Sequence, residues 1–149
     1  MTAAGSKARV LILCTGNSAR SQIAEGLLRR AGGGRYEVLS AGTRPVGVNP
    51  LAVETMRELG IDISAQRSKS VAEFAGEKFA TVITVCDNAA EECPVFPGAP
   101  ERVHWSLRDP AAVSGPREEK LAAFREIRDD LERRIREFVS SAASGAPAD

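Results

Sequence analysis

The chain has 149 residues, with 20 Lys plus Arg against 20 Asp plus Glu and a formal net charge of zero. That length fits one domain with one real core, and the even balance argues against a nucleic-acid or membrane-surface partner recognised by bulk charge. Three cysteines, an odd number, argue against a structural disulfide framework, and the single His104 leaves little room for a zinc site or a Ser-His-Asp triad.

In chain order, residues 1–7 carry no apolar region, and the apolar run 10–13 is too short for a signal peptide or a spanning helix. A cytoplasmic protein is expected. The first strand is predicted at 9–13. A helix follows Arg20, with Ile23, Leu27 and Ala31 on its buried face and Gly32-Gly33-Gly34 ending it. The second strand is predicted at 36–41. Asn49-Pro50 supplies an N-cap and first-turn pair for a helix through Leu51, Met56 and Leu59 that stops at Gly60. A short helix fits 71–74, a buried parallel strand fits 81–85, and a short strand fits 102–105. The last helix, 117–139, places Leu121, Phe124, Ile127, Leu131, Ile135 and Phe138 three or four apart. Its Arg133, Arg134 and Arg136 read as a wet face, not a nucleic-acid reader. The alternation predicts an α/β three-layer sandwich: a four-stranded parallel sheet with helices on both faces, a single domain at 8–139, and flexible termini at 1–7 and 140–149.

In such sheets ligands bind at the carboxyl ends of the strands. Cys14 and Cys86 fall at two of those ends, and Asp109 follows the last strand. Cys14, Thr15, Gly16, Asn17, Ser18, Ala19, Arg20 and Ser21 turn the first strand into the first helix. Such a turn exposes a row of backbone N–H groups, which together with a helix N-terminus and a guanidinium hold a tetrahedral oxyanion. Arg20 can offer two parallel N–H donors, and Ser21 can donate its hydroxyl to the Cys14 sulfur. The same positive field favours the thiolate. A lone cysteine after an apolar strand is commonly just a small core residue; the arginine, glycine and asparagine around this one reverse that reading. Asp109-Pro110 is by itself a turn former, but a carboxyl on that loop can protonate a leaving oxygen. Cys86 and Cys93, seven positions apart, are either inert or a thiol relay in which Cys86 attacks a Cys14 adduct and Cys93 attacks Cys86. His104 beside Trp105 reads as packed and hydrogen-bonded.

These stretches resemble the low-molecular-weight protein tyrosine phosphatase superfamily, and within it the thioredoxin-coupled arsenate reductases. The resemblance is carried by Cys14 to Ser21, Ser40-Ala41-Gly42-Thr43, Gly60-Ile61-Asp62-Ile63-Ser64, Val85-Cys86-Asp87, Glu92-Cys93-Pro94, His104-Trp105 and Asp109-Pro110-Ala111. It implies reduction of arsenate to arsenite, with Cys14 as nucleophile, Arg20 as anion clamp and Asp109 as general acid. Cys86 and Cys93 would carry the two electrons as a disulfide, which thioredoxin reduces. No cofactor and no metal is implied; phosphate and sulfate are competing oxyanions, and a monomer is the default. Phosphatase relatives place an aromatic residue where Ala111 stands, which disfavours phosphotyrosine, although phosphate monoester hydrolysis through a Cys14 phosphocysteine is the alternative. A third reading is a sensor binding arsenite or a soft metal through three thiols, which gives Arg20 and Asp109 no purpose. Some relatives hold potassium with groups resembling Asn17, Glu25 and Ser40 plus an acidic side chain. Here that acidic position falls at Lys69, whose ammonium either takes the cation's place beside Glu25 or belongs to a solvated loop.

Overall fold

The computed structural model describes residues 7–87 and 95–143. Strands β1 (Ala8–Cys14), β2 (Tyr36–Gly42), β3 (Thr81–Thr84) and β4 (Glu101–His104) form one parallel sheet in the order β2-β1-β3-β4. Three α-helices follow the expected places: α1 (Arg20–Gly32), α2 (Pro50–Arg57) and α3 (Arg117–Ala143). Single 3₁₀ turns lie at Val71–Phe74 and Pro110–Ala112.

β1 is central in the sheet and side chains cover both of its faces, so residues 10–14 are buried while Ala8 is exposed and Arg9 half-buried. Val10, Ile12 and Cys14 face Ile23, Leu27 and Leu28 of α1 and Phe124, Leu131 and Ile135 of α3. Ala52 and Met56 of α2 join the same core. Leu11 and Leu13 face the other way, onto Phe74, Phe79 and Phe96. Phe79 meets both other rings edge-on, which suits the charge distribution of aromatic rings. The three α-helices therefore share one face, and among the described residues the helix on the opposite face is the one-turn segment Val71–Phe74.

Several boundaries differ from expectation. α3 continues through residues 140–143, expected to be flexible; Val139 still packs in the core, and no Gly or Pro interrupts the chain before Gly145. α2 ends at Arg57, three residues before Gly60, because the N–H groups of Leu59 and Ile61 turn back onto the Met56 carbonyl and Gly60 adopts φ +77°. β3 stops at Thr84 and β4 begins one residue early, at Glu101. Ala31 is exposed, while Gly32 beside it is the residue of that turn buried against Tyr36 of β2. His104 is exposed on edge strand β4, not packed, and its Nδ1 lies 2.6 Å from Thr84 Oγ1. Arg133, Arg134 and Arg136 pair along α3 with Asp130 and Glu132. Among the described residues no helix is long and apolar enough to cross a membrane.

Candidate active site

The junction of β1 and α1 carries the site. The N-cap of α1 is Ala19, which offers no side-chain hydrogen bond, and the first turn holds no acidic residue. α2, by contrast, is capped by Asn49, whose Oδ1 accepts from the Leu51 N–H at 2.8 Å. A helix start without its own cap leaves N–H donors and the positive end of the dipole for an anion from outside.

The loop before α1 is held from its outer side. Thr15 O accepts from Arg44 N at 2.9 Å, and Gly16 O from Val46 N at 3.1 Å and Ser68 Oγ at 3.2 Å. Asn17 O accepts from Gln22 Nε2 at 3.0 Å, and Ser18 O from Asn49 N at 3.0 Å. In a trans peptide the N–H points opposite to the C=O. Four carbonyls drawn outward therefore aim the N–H groups of Gly16, Asn17, Ser18 and Ala19 inward. Donors fixed in place before a ligand arrives need no reorganisation to stabilise its charge.

Asn17 is wholly buried, and among the described residues it is the only non-glycine residue with positive φ, at +45°. Its side chain holds that conformation: Nδ2 donates to Ser21 Oγ at 2.8 Å and Ser40 Oγ at 2.9 Å, and Oδ1 accepts from Lys69 N at 2.7 Å. Ser21 Oγ lies 2.8 Å from Cys14 Sγ. That oxygen accepts from Asn17 and can donate its own hydrogen to the sulfur. Gly42 closes the back of the loop. A Cβ there would stand 2.4 Å from Thr15 O and 2.9 Å from Asn17 N, so only glycine lets β2 approach this closely.

Arg20 is buried, with Nη1 donating to Leu107 O at 3.0 Å and Nη2 lying 3.8 Å from Asp109 Oδ2. The other Asp109 oxygen caps the following 3₁₀ turn through the Ala111 N–H at 3.0 Å. A cavity of about 490 Å³ opens beside Asp109, with Asp87 on its wall. Cys86 follows β3, next to the strand that ends in Cys14; it is fully buried and disulfide-bonded, whereas Cys14 is a free thiol. Cys93 lies outside the described residues. The fold thus gathers Cys14 to Ser21, Cys86 and Asp109 at one edge of the sheet.

Lys69 is 6% exposed, which excludes the solvated-loop reading. Its Nζ donates to Arg67 O at 2.7 Å and lies 3.8 Å from Glu25 Oε1, which also accepts from Ser40 Oγ at 2.5 Å. Burial lowers the Lys69 pKa, against the pull of Glu25, with Arg67 and Arg29 lowering it further.

Several participants are not evident from the sequence: Gln22, Gly42 as a packing constraint, Ser68, the Leu107 carbonyl and the residue 44–49 backbone. The one available signal was Gln22 itself, a polar amide within the α1 stretch 20–28, all of which is buried.

The profile of the family described as low molecular weight phosphotyrosine protein phosphatase matches residues 9–145. An arsenate reductase of Halalkalibacterium halodurans is 46% identical over 132 residues, covering 89% of this chain and 95% of that protein. A solved arsenate reductase in its phosphate-binding state superposes with a TM-score of 0.73 at 29% identity, covering 90% of this chain and 98% of the other. A thioredoxin-dependent arsenate reductase of Corynebacterium glutamicum superposes with a TM-score of 0.69 at 30% identity, covering 95% of this chain and 65% of the other.

Proposed function

The chain belongs to the low molecular weight phosphotyrosine protein phosphatase family, and we propose that it works within it as a thioredoxin-dependent arsenate reductase. The observation that carries the reading is the pairing of two cysteine states at neighbouring strand ends: a free Cys14 in an oxyanion loop and a disulfide-bonded Cys86 beside it. A phosphatase needs only the first.

In this reading the loop N–H groups of residues 15–21 and the Arg20 guanidinium hold arsenate. The Cys14 thiolate attacks arsenic, and Asp109 protonates the departing oxygen, which leaves as water. Cys86 then attacks Cys14 Sγ. The electron pair of the sulfur–arsenic bond stays on arsenic, which leaves as arsenite, and a Cys14–Cys86 disulfide forms. Cys93 attacks Cys86, restoring the Cys14 thiolate and leaving a Cys86–Cys93 disulfide. Thioredoxin's two thiols reduce that bond. The two electrons that reduce arsenate thus come from the chain's own thiols and are replaced from outside. Cys14, Arg20 and Asp109 also suit phosphate, so slow hydrolysis of small phosphate monoesters is expected alongside. The exposed Ala111 offers no aromatic wall for phosphotyrosine.

The test is arsenite release over repeated turnovers with thioredoxin, thioredoxin reductase and NADPH. Cys14→Ser should lose both arsenate reduction and aryl phosphate hydrolysis. Cys86→Ser and Cys93→Ser should lose multiple-turnover reduction and keep the hydrolysis. Loss of hydrolysis in all three would make the latter two cysteines structural and remove the relay.

A further inference from the structure

Three of the four outward carbonyls of the Cys14 loop are held by backbone N–H groups of residues 44, 46 and 49, whereas Asn17 O is held by a side chain, that of Gln22. Gln22 lies in the first turn of α1 and is 0% exposed. Its Nε2 donates to Asn17 O and to Arg67 O, both at 3.0 Å. Its Oε1 accepts from Gln66 Nε2 at 2.8 Å, and the same Gln66 nitrogen reaches the Gln22 carbonyl at 3.1 Å. The amide has one way to face: two carbonyls require its nitrogen, and the Gln66 donor requires its oxygen.

The peptide bond between Asn17 and Ser18 follows a residue in the left-handed region, Asn17 at φ +45°, and its outward carbonyl is held by a side chain where its neighbours are held by main chain. Rotation of that peptide plane would point the Ser18 N–H out of the loop and the Asn17 carbonyl oxygen into it, replacing a donor to the anion with a repelling dipole. The Asn17 side chain is already engaged with Ser21, Ser40 and Lys69 and fixes its own position, not the plane of the following peptide.

We propose that Gln22 is a positioning residue for oxyanion binding, locking the Asn17–Ser18 peptide so that the Ser18 N–H faces the bound anion. The assignment rests on the oxyanion role of the Cys14 loop. Gln22 touches neither the anion nor the sulfur; it acts through one peptide plane.

The experiment titrates the reduced, full-length chain with inorganic phosphate and follows the Ser18 amide by ¹H–¹⁵N NMR. Gln22→Met keeps the length and removes the donor. It should weaken phosphate binding about tenfold or more, the equivalent of one hydrogen bond to a charged group, and should remove the Ser18 amide shift that phosphate produces. Gln66→Leu disturbs the half-buried side of the same cluster but leaves the Gln22 Nε2 donor shared between Asn17 O and Arg67 O. It should change phosphate affinity less than about threefold. In arsenate turnover Gln22→Met should raise KM with a smaller effect on kcat. Unchanged affinity in Gln22→Met overturns the proposal, and so does equal loss in both variants, which would make the cluster merely structural. Failure of the unaltered chain to bind phosphate overturns the oxyanion reading itself and this assignment with it, and its own titration tells the two failures apart.

Discussion

Arg20 Nη2 and Asp109 Oδ2 stand 3.8 Å apart across the mouth of the Cys14 loop, a buried cation facing a carboxylate that is 42% exposed. The pairing places a carboxyl group at the rim of the proposed anion site, on a loop tied to Arg20 through Leu107 O. Asp109→Asn keeps an oxygen to cap the 3₁₀ turn and removes the proton donor. Pre-steady-state adduct formation should slow by roughly 10²–10⁴-fold, the usual worth of general acid catalysis. A rate unchanged where this step limits would move the role to another group.

Gly42→Ala should cost more than an added methyl group in a strand. Its Cβ would meet backbone atoms, Thr15 O at 2.4 Å and Cys14 O at 3.0 Å, which cannot rotate away. A loss of about 1–3 kcal/mol is expected in denaturant unfolding, together with weakened phosphate binding because the loop is pushed outward. Full phosphate affinity in the variant would show that the loop yields without losing its donors.

Lys69 sits against the Asn17, Ser40 and Glu25 group, the place where the family resemblance implies a potassium ion. A buried ammonium 3.8 Å from Glu25 already supplies the positive charge, and a second cation would be repelled. The melting temperature should be the same in potassium and sodium chloride at equal ionic strength, and Lys69→Asp should become more stable in potassium. Specific stabilisation of the unaltered chain by potassium would end the stand-in reading.

Acid sensitivity should come partly from the clasp between α2 and α3. Hydrogen bonds from Arg125 and then Arg128 hold the Glu58 pKa down, from 4.5 to about 2. A depressed carboxylate pKa contributes stability above the unfolded value and loses it as pH falls through the folded one. The gap in melting temperature between the unaltered chain and Glu58→Gln should therefore be widest above about pH 5 and shrink toward pH 2. A gap constant over that range would assign the effect to packing.

Sequence alone was enough for what depends on local order. The unbroken apolar run of β1, the Asn49-Pro50 helix start and the apolar spacing of α3 are written in neighbouring residues, and so is the Cys14 to Ser21 loop, whose parts are consecutive. Cys86 and Asp109 were legible as strand-end residues, because a parallel sheet gathers its carboxyl ends at one edge. The remainder depended on segments far apart in the chain. Gln22 meets Gln66 and Arg67, Asn17 meets Lys69, and Gly42 backs onto Thr15. No spacing rule announces such contacts, since each arises only when the 66–70 segment lies alongside β2 and behind the loop. The residues that present the anion site were readable in order along the chain; the residues that hold it in shape were decided by packing.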